Sequence, residues 1–128
     1  MTNKLQMAMF PPVSEWLPPD TFPDITDAKE IAVDVETRDP DLKTHGPGWA
    51  RNVGEVVGVA VAVDGWKTYV PLRHLGGGNL DERVVGKWLK RVFECPADKI
   101  MHNAAYDAGW IRRMGYKING RIIDTMIT

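Results

Sequence analysis

Two acids one residue apart, Asp34 and Glu36, stand in an otherwise apolar run, Ile31-Ala32-Val33-Asp34-Val35-Glu36. On a β-strand, residues i and i+2 share a face and lie about 6.6 Å apart along the chain. Two carboxylates so placed can converge on one hard cation, which takes oxygen ligands. Unpaired acids buried in such a run would be costly, and the same pattern also describes the solvated face of an edge strand. The pair alone does not choose. A third acid, Asp107, follows Asn103 by one helical turn in His102-Asn103-Ala104-Ala105-Tyr106-Asp107, so both project from one helix face. That helix begins where a short strand ends, and ligands bind at the carboxyl ends of strands in open α/β sheets. Taken singly, Asn103 as a helix cap and Asp107 as an exposed helical acid is the plainer reading. His102 reads as a structural hydrogen-bonder. Gly76-Gly77-Gly78 lacks the Lys and Ser/Thr of a phosphate loop and reads as a linker.

The elements that must position these residues follow from periodicity. Residues 31–36 form a strand, and a polar loop with Gly46-Pro47-Gly48 covers residues 37–52. Residues 55–63 are β-branched with Ala and Gly, the pattern of a strand covered on both faces. Asp64-Gly65 predicts a hairpin turn, with residues 66–70 as the returning strand. Asn79 or Asp81 can cap a helix whose apolar stripe is Val84, Val85, Trp88, Leu89, Val92 and Phe93. A short strand, Lys99-Ile100-Met101, leads to a helix capped by Asn103, running to about Met114 and stopped by Gly115. Residues 121–123 form a last strand, ended by Asp124-Thr125. The order β-β-β-α-β-α-β is the ribonuclease-H-like α/β arrangement without its final helices. Before it, residues 1–29 carry five prolines and a few apolar anchors, which predicts an extended arm.

Composition excludes several alternatives. With 128 residues the chain holds one compact domain, and 44% apolar with 26% charged residues is ordinary for a globular protein. A net charge of −1 argues against gripping nucleic acid by bulk electrostatics alone, though a carboxylate-built site would itself lower the charge. The single cysteine, Cys95, precludes an internal disulfide, reads as packing and fits a reducing compartment. No run of 18 apolar residues and no signal-peptide layout are present. No membrane association and a cytoplasmic location are therefore expected.

Taken together, the D-x-E strand, hairpin strands, helix and N-x-x-x-D helix resemble the first two exonuclease motifs of the DEDD superfamily. The likeness is to the proofreading 3′→5′ exonuclease domain of family A, polymerase I-like DNA polymerases. Residues 31–37 carry the first motif, residues 102–107 the second, and Ile123-Asp124-Thr125-Met126 the segment after it. Gly46-Pro47-Gly48-Trp49 looks more like phage-encoded members than cellular ones, which would place the protein in a host cytoplasm. The resemblance covers residues 30–128. It implies a two-metal phosphodiesterase with Asp34, Glu36 and Asp107 as catalytic, metal-holding carboxylates, using Mg²⁺ or Mn²⁺, with two ions in the complete domain. It also implies that Thr37, Leu42 and Asn103 serve substrate binding, that the substrate is the 3′ end of single-stranded DNA, and that a polymerase domain is the partner in the full-length protein. The family's third motif, Y-x-x-x-D or H-x-x-x-D, is absent before Thr128, and Asp124 reads as a helix cap and not its substitute. Weak or absent activity of the isolated chain is therefore expected, with self-association through an exposed sheet face. The alternatives are a DEDD exonuclease acting on RNA, and an inactive fragment kept for nucleic-acid binding or interaction.

Overall fold

The computed structural model describes residues 22–126. Most of the expected arm, residues 1–21, lies outside the described residues. Five strands form one sheet in the order β3-β2-β1-β4-β5: β1 (Glu30–Arg38), β2 (Glu55–Val63), β3 (Trp66–Pro71), β4 (Asp98–Met101) and β5 (Ile122–Asp124). β1, β2 and β3 are antiparallel neighbours, while β4 and β5 run parallel to β1. Helix α1 (Leu42–His45) and a 3-10 turn (Gly48–Ala50) sit in the β1–β2 loop, α2 (Glu82–Glu94) links β3 to β4, and α3 (Ala104–Arg113) links β4 to β5. The element order expected from the sequence is the order observed, and the fold is ribonuclease-H-like. Helix α1 was not foreseen.

Strict alternation along β1 decides which side faces the helices. Ile31, Val33 and Val35 are buried, while Ala32, Asp34 and Glu36 are exposed. The buried row joins one core with Val85, Trp88, Leu89, Val92 and Phe93 of α2 and Ala104, Trp110 and Ile111 of α3. Burying such side chains is worth about 1.5–3 kcal/mol each. Phe22 closes the core's edge, edge-on to Trp88 at 5.0 Å and to Trp66 at 6.2 Å. The Trp88 indole N–H donates to the Pro23 carbonyl at 2.8 Å, so its polar tip is satisfied where it is buried.

One expectation about helix α2 changes, and the open choice of its cap is decided. Val84, placed in the apolar stripe, is 47% exposed; the stripe facing the sheet is the narrower i, i+3, i+4 set beginning at Val85. Asp81, not Asn79, is its cap, accepting the Arg83 N–H at 2.9 Å. Asn79 instead clasps the backbone of His74, accepting from its N–H at 2.8 Å and donating to its carbonyl at 2.9 Å. Gly65 makes the expected hairpin turn with φ of 84°, and Gly115, φ 100°, follows α3 as foreseen. Among the described residues no helix is long and apolar enough to cross a membrane.

The opposite face of the sheet is open. A concavity of about 900 Å³ lies over it, with Ala32, Ala60 and Ala62 in its floor and Asp34, Lys67, Tyr69 and His102 around it.

Candidate metal centre

β1 carries Asp34 and Glu36 outward on the open face. Cross-strand pairing sets Asp34 beside Ala60 and Glu36 beside Gly58, so no bulky neighbour on β2 covers either acid. Immediately after Glu36 the register slips, Thr37 pairing with Val56. Irregularities of this kind bend a strand and re-aim its side chains, and they recur beside active sites.

Asp107 reaches the same place from the helix side. β1 pairs with β4 only as far as Ala32; beyond that the strands part, and α3 begins in the gap. The Val35 N–H therefore has no ladder partner on that side and donates to Asp107 Oδ2 at 3.3 Å. Val35 lies between the two acids of the D-x-E pair, so Asp107 docks against the backbone that joins them. Asp107 is only 4% exposed, which corrects the reading of an exposed helical acid. Burial pushes its carboxyl up to about 6; the Val35 N–H opposes the shift, and the charges of Asp34, Glu36 and Asp124 add to it. Glu36, although its side chain reaches solvent, is also raised, first by partial desolvation against the sheet, then by the charge of Asp34 and a hydrogen bond with it, with His74 acting the other way.

The start of α3 is built differently from the sequence expectation. Asn103 has left-handed backbone, φ 64°, is exposed, and makes no side-chain cap bond. The capping acceptor arrives from β5: Asp124 receives the N–H groups of Asn103 and Ala104, each at 3.0 Å. It also takes the Met126 N–H at 2.9 Å, and these backbone donors, Met126 first, hold its carboxyl below the usual range. Asp124 is a cap, as read, but of a helix some twenty residues earlier. His102 bonds Thr125 through Nδ1 at 3.1 Å, a structural contact.

Thr37, Asp39 and Tyr106 tie the end of β1 to α3. The Tyr106 hydroxyl donates to Asp39 Oδ2 at 2.8 Å and pairs with Thr37 Oγ1 at 2.8 Å, while the Gly48 N–H donates to the same Asp39 oxygen at 3.0 Å. The Trp49 indole rests on Gly109 so closely that a Cβ there would lie 2.2 Å from the ring. The loop is thus seated on α3, and Leu42 stands on α1, 39% exposed.

No chemical motif in the sequence singles out Tyr69. Its hydroxyl lies over Gly58, 1.9 Å from where a Cβ would stand, and pairs with His74 Nε2. A glycine inside a β-branched strand marks close approach by another group, and that was the available signal.

The donor chemistry of Asp34, Glu36 and Asp107 fits a hard divalent cation: oxygen only, mutually repelling, and absent from every ion pair among the described residues. Among those residues, however, no group of three or more His, Cys, Asp or Glu is gathered tightly enough to hold a metal ion. The three acids are brought to one end of β1 without being closed into a ligand set.

No family model matches the chain. It is 40% identical over 115 residues to a DNA-directed DNA polymerase of Pseudomonas phage M6, a match covering 84% of this chain and 17% of that protein. Among solved structures, it is similar to the catalytic core of RRP6 from Trypanosoma brucei. That likeness has a TM-score of 0.52 at 19% identity and covers 94% of this chain and 36% of that one. A mutant of the same core gives a TM-score of 0.51 at 18% identity. The chain therefore spans about a sixth of the polymerase and about a third of the RRP6 core.

Proposed function

We propose that this chain, a homologue of a segment of a phage DNA-directed DNA polymerase with a ribonuclease-H-like fold, contributes the metal-binding carboxylates of a 3′→5′ exonuclease domain. The observation that carries the reading is the docking of Asp107 on the Val35 N–H, between Asp34 and Glu36. Three acids from a strand and a helix share one end of the sheet, and burial and mutual repulsion raise two of them. Raised acids clustered in this way mark functional sites.

In this reading Asp34, Glu36 and Asp107 hold two Mg²⁺ or Mn²⁺ ions. Bound ions supply an activated water and stabilise the leaving oxygen of a terminal phosphodiester. Thr37 and Leu42, in the loop seated on α3, meet the terminal nucleotide, and Asn103, at the start of that helix, serves substrate binding with them. The open face of the sheet leaves a 3′ end room to approach. A polymerase domain elsewhere in the full-length protein is the partner, and the host cytoplasm is the place of action.

The test is a 5′-labelled single-stranded DNA with a free 3′ end, incubated with the chain and Mn²⁺. Shortening from the 3′ end, lost with chelator and in Asp34→Asn, is the expected pattern. A third motif is not among these 128 residues, so slow turnover is expected. Cleavage that survives chelator or Asp34→Asn would contradict the assignment, and a matched RNA substrate cut faster would move it to the RNA-directed branch.

A further inference from the structure

On the far side of the D-x-E pair, β3 sends Tyr69 back across β2. In the sheet register Tyr69 is level with Ala60, which is level with Asp34. Neither Ala60 nor the next residue on that face, Gly58, has a side chain large enough to hold the ring away. Tyr69 leans over Gly58, its hydroxyl 1.9 Å from the place a Cβ would take. Gly58 is the direct cross-strand partner of Glu36, and side chains so paired have Cβ atoms about 4.5–5.5 Å apart. The hydroxyl therefore occupies the volume that a side chain facing Glu36 would fill.

The ring is held there from its other side. Tyr69 oxygen pairs with His74 Nε2, the rings meeting edge-on at 5.6 Å between centroids. The clasp of Asn79 on both polar groups of the His74 backbone holds the segment that carries that imidazole. Burial first, and then the charges of Glu36 and Asp34, push the Tyr69 hydroxyl up to about 12, so it keeps its proton at any pH at which the protein works.

We propose that Tyr69, aimed by His74 and given room by Gly58, is a positioning residue whose hydroxyl donates a hydrogen bond to the Glu36 carboxylate when that carboxylate takes its place beside a divalent ion. With Nε2–H of His74 donating to the tyrosine oxygen, the hydroxyl hydrogen is free for Glu36. The carboxylate is then fixed on one side and keeps its other oxygen for the ion. This rests on the metal-binding reading above and adds to it two residues outside the motifs on which that reading stands.

The experiment is Mn²⁺ titration of the full chain followed by electron paramagnetic resonance, with melting temperature measured in chelator for each variant. Losing a hydrogen bond to a charged group, Tyr69→Phe is expected to weaken Mn²⁺ binding roughly tenfold, while its metal-free melting temperature falls no further than that of His74→Ala, which breaks the same Tyr69–His74 bond. His74→Ala is expected to weaken it less, and His74→Gln, which can still donate to the tyrosine oxygen, to restore wild-type affinity. Wild-type affinity in Tyr69→Phe, together with loss of binding in Asp34→Asn, would overturn the tyrosine's role alone. A wild-type chain that binds no Mn²⁺ would overturn the metal reading and this inference with it. A loss of affinity matched by an equal fall in metal-free stability would show Tyr69 to be only a packing residue.

Discussion

Lys99 and Asp107 are the buried charged side chains of the described residues, at 0% and 4% exposure, and they sit in opposite electrostatic settings. Lys99 Nζ donates to three carbonyls, those of Cys95 at 2.6 Å, Ala97 at 2.8 Å and Asn119 at 2.8 Å. An ammonium has three protons to donate, so every one is used. Burial lowers the Lys99 ammonium's pKa, with Cys95 and Asp98 opposing. Asp107 receives one backbone N–H and otherwise faces like charges. The lysine pins the α2–β4 turn to the segment before β5 and leaves nothing for a ligand. The aspartate is left short of positive charge, and such a deficit is tolerated where a cation is to be received. Completeness of hydrogen bonding, and not burial, separates these two charges.

The sharpest way to break this contrast is to remove the satisfied charge. Lys99→Met keeps the aliphatic stem and strips three carbonyls of their donor. With about 1–3 kcal/mol lost per buried group left unsatisfied, destabilisation of at least roughly 3 kcal/mol is expected by urea unfolding. A loss well under about 1 kcal/mol would mean that the three bonds contribute little.

The second test neutralises the unsatisfied charge. Asp107→Asn keeps an oxygen for the Val35 N–H and removes the repulsion. A carboxyl raised from 3.8 to about 6 favours the fold fully below pH 3.8 and loses that advantage as pH rises through about 6. In chelator, the wild type should therefore lose stability relative to Asp107→Asn across that window, by on the order of 3 kcal/mol. A difference between the two proteins that stays flat from pH 4 to pH 8 would refute the assigned shift.

The third and smaller effect concerns the helix that carries the acid. Asp124→Ala leaves the Asn103 and Ala104 N–H groups without their acceptor, and about 1–2 kcal/mol of stability should go. Loss of Mn²⁺ affinity is expected to accompany it, because Asp107 stands on the first turn of α3. Equal stability in calorimetry would show solvent to be as good a cap.

What was legible in the sequence was local. Alternation along β1, the Asp64-Gly65 turn and the spacing of Val85, Trp88, Leu89, Val92 and Phe93 each depend on a few neighbouring residues, and each element stands where its pattern put it. The D-x-E pair and Asp107 were legible as types at a spacing. That Asp107 docks on the backbone between the pair depends on β1 parting from β4 after Ala32, which no local pattern shows. Asn103 illustrates the limit: its residue type suits a helix cap, but β5 delivers the Asp124 carboxylate to that end, and a tertiary contact replaces the local one. Tyr69 and His74 escaped notice for the same reason. Nothing near them in the chain indicates what they pack against, and only Gly58, on the neighbouring strand β2, hints that a ring must pass.

The most direct test of the central claim is thermal unfolding at pH 8 of the wild type and Asp107→Asn, each in chelator and in excess Mn²⁺. If the acids at the end of β1 await a cation, Mn²⁺ raises the wild-type melting temperature, by an amount equivalent to about 2.7 kcal/mol at one hundred times the dissociation constant. Asp107→Asn then melts higher than the wild type in chelator and gains little from the ion. A wild-type melting temperature indifferent to Mn²⁺, or an equal gain in both proteins, would contradict the account.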